Sequence, residues 1–354
     1  MLKILLSGLS MDSGFHRNER VLIGAALAFT LAACSEAENS SGTTTSAPRV
    51  EPTAMAILPP ASAAPLPQEA AIQAEVQEDV PGITGHVEII RDFPSDFVTS
   101  RDIHIWLPPS YASSTQRYPV VYVHDGQNLY DPALSKYSQV DWGFDEAMEE
   151  LVRTGRAREA IIVGIASLED ERFENYMPQK AMTPEVEERV RSNFAINGWP
   201  LGEVNSDDYL RFVVDEVKPY VDANYRTLPG REDTSMVGAS MGGLITTYAL
   251  VEYPEVFGSG AGVSTHLPLA GGALVDYFGG RLPDPARTRV YYDYGTETLD
   301  AEYEEPHLKL DALMREAGFG EGNYVMETFD GHSHSEIDWR TRVDQPLEFL
   351  LGAP

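Results

Sequence analysis

Between residues 120 and 330 the chain alternates short, nearly continuous apolar runs with stretches of helical period, and few folds accommodate that alternation. The runs are Val120–Val123, Ile161–Ile165, Met236–Gly238, Val290–Tyr292 and Tyr324–Phe329. Helical patterns lie between or after them, over Phe144–Arg153, Asp208–Tyr220, Leu244–Glu252 and Leu308–Ala317. A strand that is apolar on both faces must be covered on both, so the pattern predicts a mostly parallel sheet with helices on each side. Leu210, Val213, Val214 and Val217 fall on one face of the second helical stretch, as packing on such a sheet requires. Ahead of this region, His86–Phe93 and Asp102–Leu107 alternate apolar and polar residues and end at Pro108-Pro109. They predict an antiparallel pair at the start of the sheet. The fold class expected is therefore α/β, with a mostly parallel central sheet, antiparallel N-terminal strands and helices on both faces. Residues 167–206 fit this scheme poorly. The stretch is polar, carries Pro178, Pro184 and Gly198-Trp199-Pro200, and offers one short helix around Glu185–Arg191. An excursion of this kind either builds a substrate pocket or is a plain surface insertion.

Charge removes one class of partner. Asp and Glu total 55 against 26 Lys and Arg, for a formal net charge of -29. A field of that sign repels phosphate backbones and anionic lipid heads, which excludes nucleic acid as a partner. Cys34 is the only cysteine, so an internal disulfide and a CxxC metal site are both excluded. Its position is informative. A basic patch (His16, Arg17, Arg20) precedes the apolar run Val21–Thr30, which is too short to span a bilayer and has the form of a signal-peptide core. The run ends in Leu31-Ala32-Ala33-Cys34, which resembles a bacterial lipobox and implies acylation of Cys34. Ser35, in place of Asp, is the residue that sorting patterns associate with the outer membrane. The expected organisation is a lipoprotein signal peptide over residues 1–34, a Ser/Thr/Ala/Pro-rich flexible linker over 35–80, and one folded domain over 81–354. Membrane contact is then expected only through the lipid anchor, on a folded domain facing the periplasm.

The chemistry centres on Gly238-Ala239-Ser240-Met241-Gly242, a G-x-S-x-G between a strand and a helix. Small residues let the chain turn sharply enough to expose the Ser240 hydroxyl as a nucleophile, and the following helix N-terminus favours negative charge. The Met241 N–H is one expected oxyanion donor. A nucleophilic serine needs a base, and His332 and His334 both lie between the last apolar strand and the terminal helix, so spacing leaves the two open. The acid is expected after the strand Arg289–Tyr294, at Glu297 or Asp300, with Asp293 third. His124, His104 and His266 are read as structural. A second oxyanion donor is expected in the loop His124–Tyr130, from Gln127 or alternatively Asn128, with Gly126 turning the backbone. No metal-ligand cluster or phosphate-cradling loop is evident, and neither metal nor cofactor is expected.

Several segments together resemble the putative-esterase branch of the α/β hydrolases, which includes enterochelin esterases, esterase D, feruloyl esterases and mycolyltransferases. They are Ile103–Pro108 with Tyr118–Tyr122, His124–Asn128, Val237–Gly243, Tyr253–Gly258, and His334-Ser335-Glu336 with Trp339. The resemblance runs from about residue 85 to the C-terminus and implies the α/β-hydrolase fold. In that family the histidine directly before the small-Glu pair is the base, which implies His334. Gly295-Thr296 followed by Leu299-Asp300 resembles the acid loop of one branch and implies Asp300, with Glu297 still open. The implied activity is hydrolysis of a small-molecule carboxylic ester through an acyl-enzyme, on siderophore, feruloyl or carbohydrate esters. Acyl transfer on the same residues, or a non-catalytic tethered binding protein, are the alternatives.

Overall fold

The computed structural model describes residues 72–76, 82–135, 139–199 and 201–352, all within one compact unit. The expected signal peptide, Cys34 and all of the expected linker except 72–76 lie outside the described residues.

A single nine-stranded sheet carries the architecture. In chain order its strands are β1 (Ala74–Val76), β2 (His86–Phe93), β3 (Arg101–Leu107), β4 (Val120–His124), β5 (Ile161–Ile165), β6 (Thr234–Ala239), β7 (Ser259–Val263), β8 (Arg289–Glu297) and β9 (Tyr324–Ser333). Their spatial order is β1-β2-β3-β5-β4-β6-β7-β8-β9. β1 to β3 and the β3–β5 pair are antiparallel, and every pair from β5 to β9 is parallel. The expected fold class is the one observed. One boundary moves: Ala74–Val76 falls inside the stretch read as linker, yet it pairs with Glu88–Ile90 and covers the free edge of β2. All three of its residues are exposed, so no apolar pattern marks it.

Two apolar layers sandwich the sheet. On one face Val213, Val217, Leu244, Ile245, Leu274, Phe278, Leu310 and Met314 pack against Ile105, Tyr122, Val163 and Met236. On the other, Met148 and Leu151 of the helix Phe144–Arg153 and Leu347 and Leu350 of Asp344–Leu351 pack against Val121, Val123 and Ile162. The helix Met241–Glu252 is apolar all round and has ten of its twelve residues buried, the pattern of a helix enclosed by the core.

Two elements depart from expectation. The helix read over Asp208–Tyr220 runs from Ser206 to Asn224, with a π-helical segment at Phe212–Val217. Pro219 lies two residues beyond that segment, and because it lacks an N–H it cannot close the ordinary i−4 bond. β7, Ser-Gly-Ala-Gly-Val, has almost no apolar signature. Its glycines answer to close packing: a Cβ at Gly262 would lie 2.2 Å from Thr265 Oγ1, and one at Gly260 would lie 2.9 Å from Leu250.

Candidate active site

Only Ser240 separates β6 from the helix Met241–Glu252. It turns the chain there with φ 58° and ψ −120°, a conformation rarely taken by a residue with a Cβ and held only where the surroundings over-determine it. They do so here. Ser240 N–H donates to Val263 O at 2.9 Å, and Ser240 O accepts from Gly243 and His266 N–H at 3.0 and 3.1 Å. A Cβ at Gly238 would lie 2.2 Å from the Gly242 carbonyl oxygen, so no other residue fits there. Gly242 is less constrained, with its nearest neighbours at 3.4 Å.

β9 runs past Phe329 to Ser333 and delivers His334 beside this turn. Ser335 then caps the helix Glu336–Arg340 by accepting the Asp338 N–H, and the His334 N–H donates to Thr298 Oγ1 at 2.9 Å. His334 Nε2 lies 2.9 Å from Ser240 Oγ, and its Nδ1 lies 2.6 Å from Asp300 Oδ1. β8 continues to Glu297, so Glu297 ends a strand and is exposed, and the turn Thr298–Glu302 folds Asp300 inward. Burial alone would raise the Asp300 carboxyl. The His334 hydrogen bond and charge, with donors from Ser264 and Gly295, outweigh it and hold the group below the usual carboxylate range. The remaining candidates point elsewhere: Asp293 is buried against Arg342, and His332 Nδ1 accepts from Arg342 Nη1 at 3.1 Å.

Met241 is the first helical residue after Ser240, so its N–H has no intrahelical acceptor. In the opposite loop the left-handed residue is Asp125 (φ 59°), not Gly126. Gly126 is needed for another reason: a Cβ there would lie 2.3 Å from the Gly164 backbone. The Gln127 carboxamide is turned away to Ser167, with contacts of 2.9 and 3.0 Å, which leaves its backbone N–H as the group it offers. The Asn128 N–H is committed to Asp125 O at 2.9 Å.

Two cavities meet at Ser240. The larger, about 390 Å³, is lined by Arg172, Phe173, Phe194, Trp199, His266 and Leu299. The smaller, about 250 Å³, is lined by Asn128, Trp142, Arg172, His334, Glu336 and Trp339. Residues 167–206 therefore help form the wall of the larger cavity. Phe173 stacks on Trp199 (5.8 Å, 22°) and meets Phe194 edge-on at 4.8 Å. Among the described residues no three His, Cys, Asp or Glu side chains converge as a metal site, and no helix is long and apolar enough to cross a membrane.

The family model described as "Putative esterase" matches residues 96–343. The chain belongs to that family. It is accordingly a carboxylic ester hydrolase of α/β fold. Two relatives and one solved structure are similar to this esterase. The uncharacterized protein YbbA of Bacillus subtilis is 24% identical over 259 residues, which cover 72% of this chain and 93% of YbbA. An endo-1,4-beta-xylanase/feruloyl esterase of Xylanibacter ruminicola is 23% identical over 275 residues, covering 75% of this chain and 31% of that much longer protein. The crystal structure of an IroE-like serine hydrolase from Shewanella oneidensis superposes with a TM-score of 0.55 at 18% identity, covering 75% of this chain and 80% of that one.

Sequence reasoning missed three groups at the esterase's site. His266, read as structural, lines the larger cavity, and its Nδ1 lies 2.6 Å from the hydroxyl of buried Tyr303. Burial lowers His266 to about 4, so the ring is neutral at pH 7. The Tyr303 ring also meets the His334 ring edge-on, with centroids 5.6 Å apart. Arg172 forms a two-point ion pair with Asp125 (2.7 and 2.8 Å) at the junction of the two cavities. No local pattern marks these residues, because each reaches the site from a separate element.

Proposed function

We propose that the chain hydrolyses esters through an acyl-enzyme on Ser240, with His334 as general base and Asp300 as the acid that orients it. The observation that carries this reading is the continuous hydrogen-bonded line from Ser240 Oγ to His334 Nε2 (2.9 Å) and from His334 Nδ1 to Asp300 Oδ1 (2.6 Å). In the first half-reaction His334 takes the Ser240 proton as Oγ attacks the ester carbonyl. The tetrahedral oxyanion is held by the backbone N–H groups of Met241 and Gln127. Collapse expels the alcohol, which receives its proton from His334. Water then repeats the sequence on the acyl-enzyme, releasing the acid and restoring Ser240.

Two cavities meeting at the nucleophile suit the two sides of an ester. The aromatic wall Phe173–Trp199–Phe194 supports a substrate with a flat ring, since ring stacking contributes about 0.5–1.5 kcal/mol beyond area burial. Feruloyl-type aromatic acids fit that wall, and the xylanase/feruloyl esterase relative points the same way. The test is an ester panel of short-chain acyl, feruloyl, aryl-serine and acylated-sugar substrates, with S240A as control. kcat/KM should be highest for the aromatic esters and abolished by S240A; a preference for plain acetyl esters would refute the ring assignment.

The same proposal places the enzyme at the cell envelope, acylated on Cys34. The order of basic patch, apolar run, small residues and cysteine supports it. C34A should move the protein from the membrane fraction to the soluble fraction.

A further inference from the structure

Behind Asp300 lies a residue with no assigned role. Ser264 follows β7, is fully buried, and holds φ 41°, outside the range that suits a side chain. Its hydroxyl contacts three groups: Asp300 Oδ2 at 2.5 Å, Arg342 Nη2 at 2.9 Å and Trp339 Nε1 at 3.1 Å. A serine hydroxyl has one proton to give and two lone pairs to accept with, whereas guanidinium and indole N–H groups only donate. Arg342 and Trp339 therefore fill both lone pairs, and the one proton must point at Asp300. With the Gly295 N–H at 2.8 Å, Oδ2 is saturated, and Oδ1 is left for His334. Arg342 is itself buried and fixed by Asp293 Oδ1 at 3.2 Å.

We infer that Ser264 and Arg342 are positioning residues that lock the rotation of the Asp300 carboxylate, with the Arg342 cation acting through the Ser264 hydroxyl. The inference rests on the triad reading and deepens it. A buried carboxylate with one oxygen free can turn about its Cβ–Cγ bond, and a base oriented by a turning partner spends less time aimed at the nucleophile. The cation also offsets the desolvation of Asp300 through an already polarised donor. Other titratable groups face Asp300 and His334, namely His266, His307 and Tyr303. Burial lowers both of these histidines to about 4 and raises the tyrosine, so all three keep their charge state between pH 5 and 9.

The test compares S264A, R342K, W339F and S264A/R342K with the parent, using the full kcat/KM profile from pH 5 to 9. S264A should lower kcat about 10- to 100-fold, the effect of one hydrogen bond to a charged group, with KM nearly unchanged. Its acid limb should move to higher pH. Asp300, relieved of a donor, becomes the stronger acceptor and favours the protonated imidazole. R342K and W339F should show the same two changes in smaller measure, and the double variant should be no slower than S264A. If S264A does not fold, the limb shifts in R342K and W339F decide the matter. A parent-like kcat and acid limb in the variants that fold, or losses that multiply in the double variant, would overturn the inference while leaving the triad standing. Turnover that survives S240A would remove the triad reading itself and this inference with it.

Discussion

Ser240 Oγ and His334 Nε2 lie 2.9 Å apart, although 94 residues separate them along the chain. Their meeting depends on the parallel register from β6 through β7 and β8 to β9, which brings the C-terminal end of each strand to the same edge of the sheet. Enzymes of open α/β architecture carry their chemistry at that edge.

The choice of acid gives a clean contrast. Asp300 is buried and bonded to His334, whereas Glu297 is exposed at the end of β8. D300N should lower kcat by roughly 10⁴, because an amide cannot hold the imidazole in the tautomer a base needs. E297Q should stay within about twofold of the parent, a change too small to reflect a lost catalytic group. Steady-state kinetics on one good substrate decides between them, and the reverse ranking would reassign the acid.

Much of this arrangement is legible in the sequence, and what is not has identifiable causes. β4, β5 and β6 read as strands because each is buried throughout. β7 does not, since its glycines make room for Leu250 and Thr265 and leave no apolar run. Ser240 stands out because a sharp turn imposes small neighbours locally. Spacing alone leaves His332 and His334, and Glu297 and Asp300, open, and the resemblance alone implies His334 and Asp300, because which of each pair meets Ser240 depends on where β8 and β9 end. Each strand runs beyond its apolar stretch, held by pairing across to its neighbour, which local periodicity does not record. The aromatic wall of residues 173–199 is hidden for the same reason: its three rings are scattered through a polar stretch and meet only by packing.

Gly238 and Gly242 play unequal parts in the turn. G238A would push a methyl group against a backbone carbonyl that cannot yield, and should cost at least about 1–3 kcal/mol. G242A meets only ordinary contacts at 3.4 Å, and should lie within about 1 kcal/mol of the parent, helped by the better helix propensity of Ala. Denaturant midpoints at constant m-value measure both.

Asp145 provides a pH-dependent stability outside the Ser240–His334–Asp300 line. It is 1% exposed at the start of the helix Phe144–Arg153. Burial pushes its carboxyl up to about 7; the Thr84 N–H at 2.8 Å works against that rise, and neighbouring Glu146 adds to it. The folded-state value is above the unfolded one, about 3.9. The native form thus retains a proton that the unfolded chain releases, and stability falls as pH rises from about 4 to 7 before levelling off. D145N carries no such proton. Its Tm should approach the parent's near pH 4 and exceed it by about 2–8 °C at pH 8, as read by thermal scans at both values.

Trp199 is half exposed on the wall of the larger cavity. W199A should raise KM for an aromatic ester about 3- to 10-fold with kcat little changed, since ring stacking binds substrate and transition state alike. For an acetyl ester, KM should stay the same. Equal losses on both substrates would mean that the residue supports the fold and does not contact the substrate.

Reaction with a fluorophosphonate probe, followed by mass-spectrometric location of the adduct, tests the proposed nucleophile most directly. The expected result is stoichiometric labelling on Ser240, absent in S240A and slowed at least about a thousandfold in H334A. A wild-type protein that stays unlabelled, or an adduct on any other residue, would contradict it.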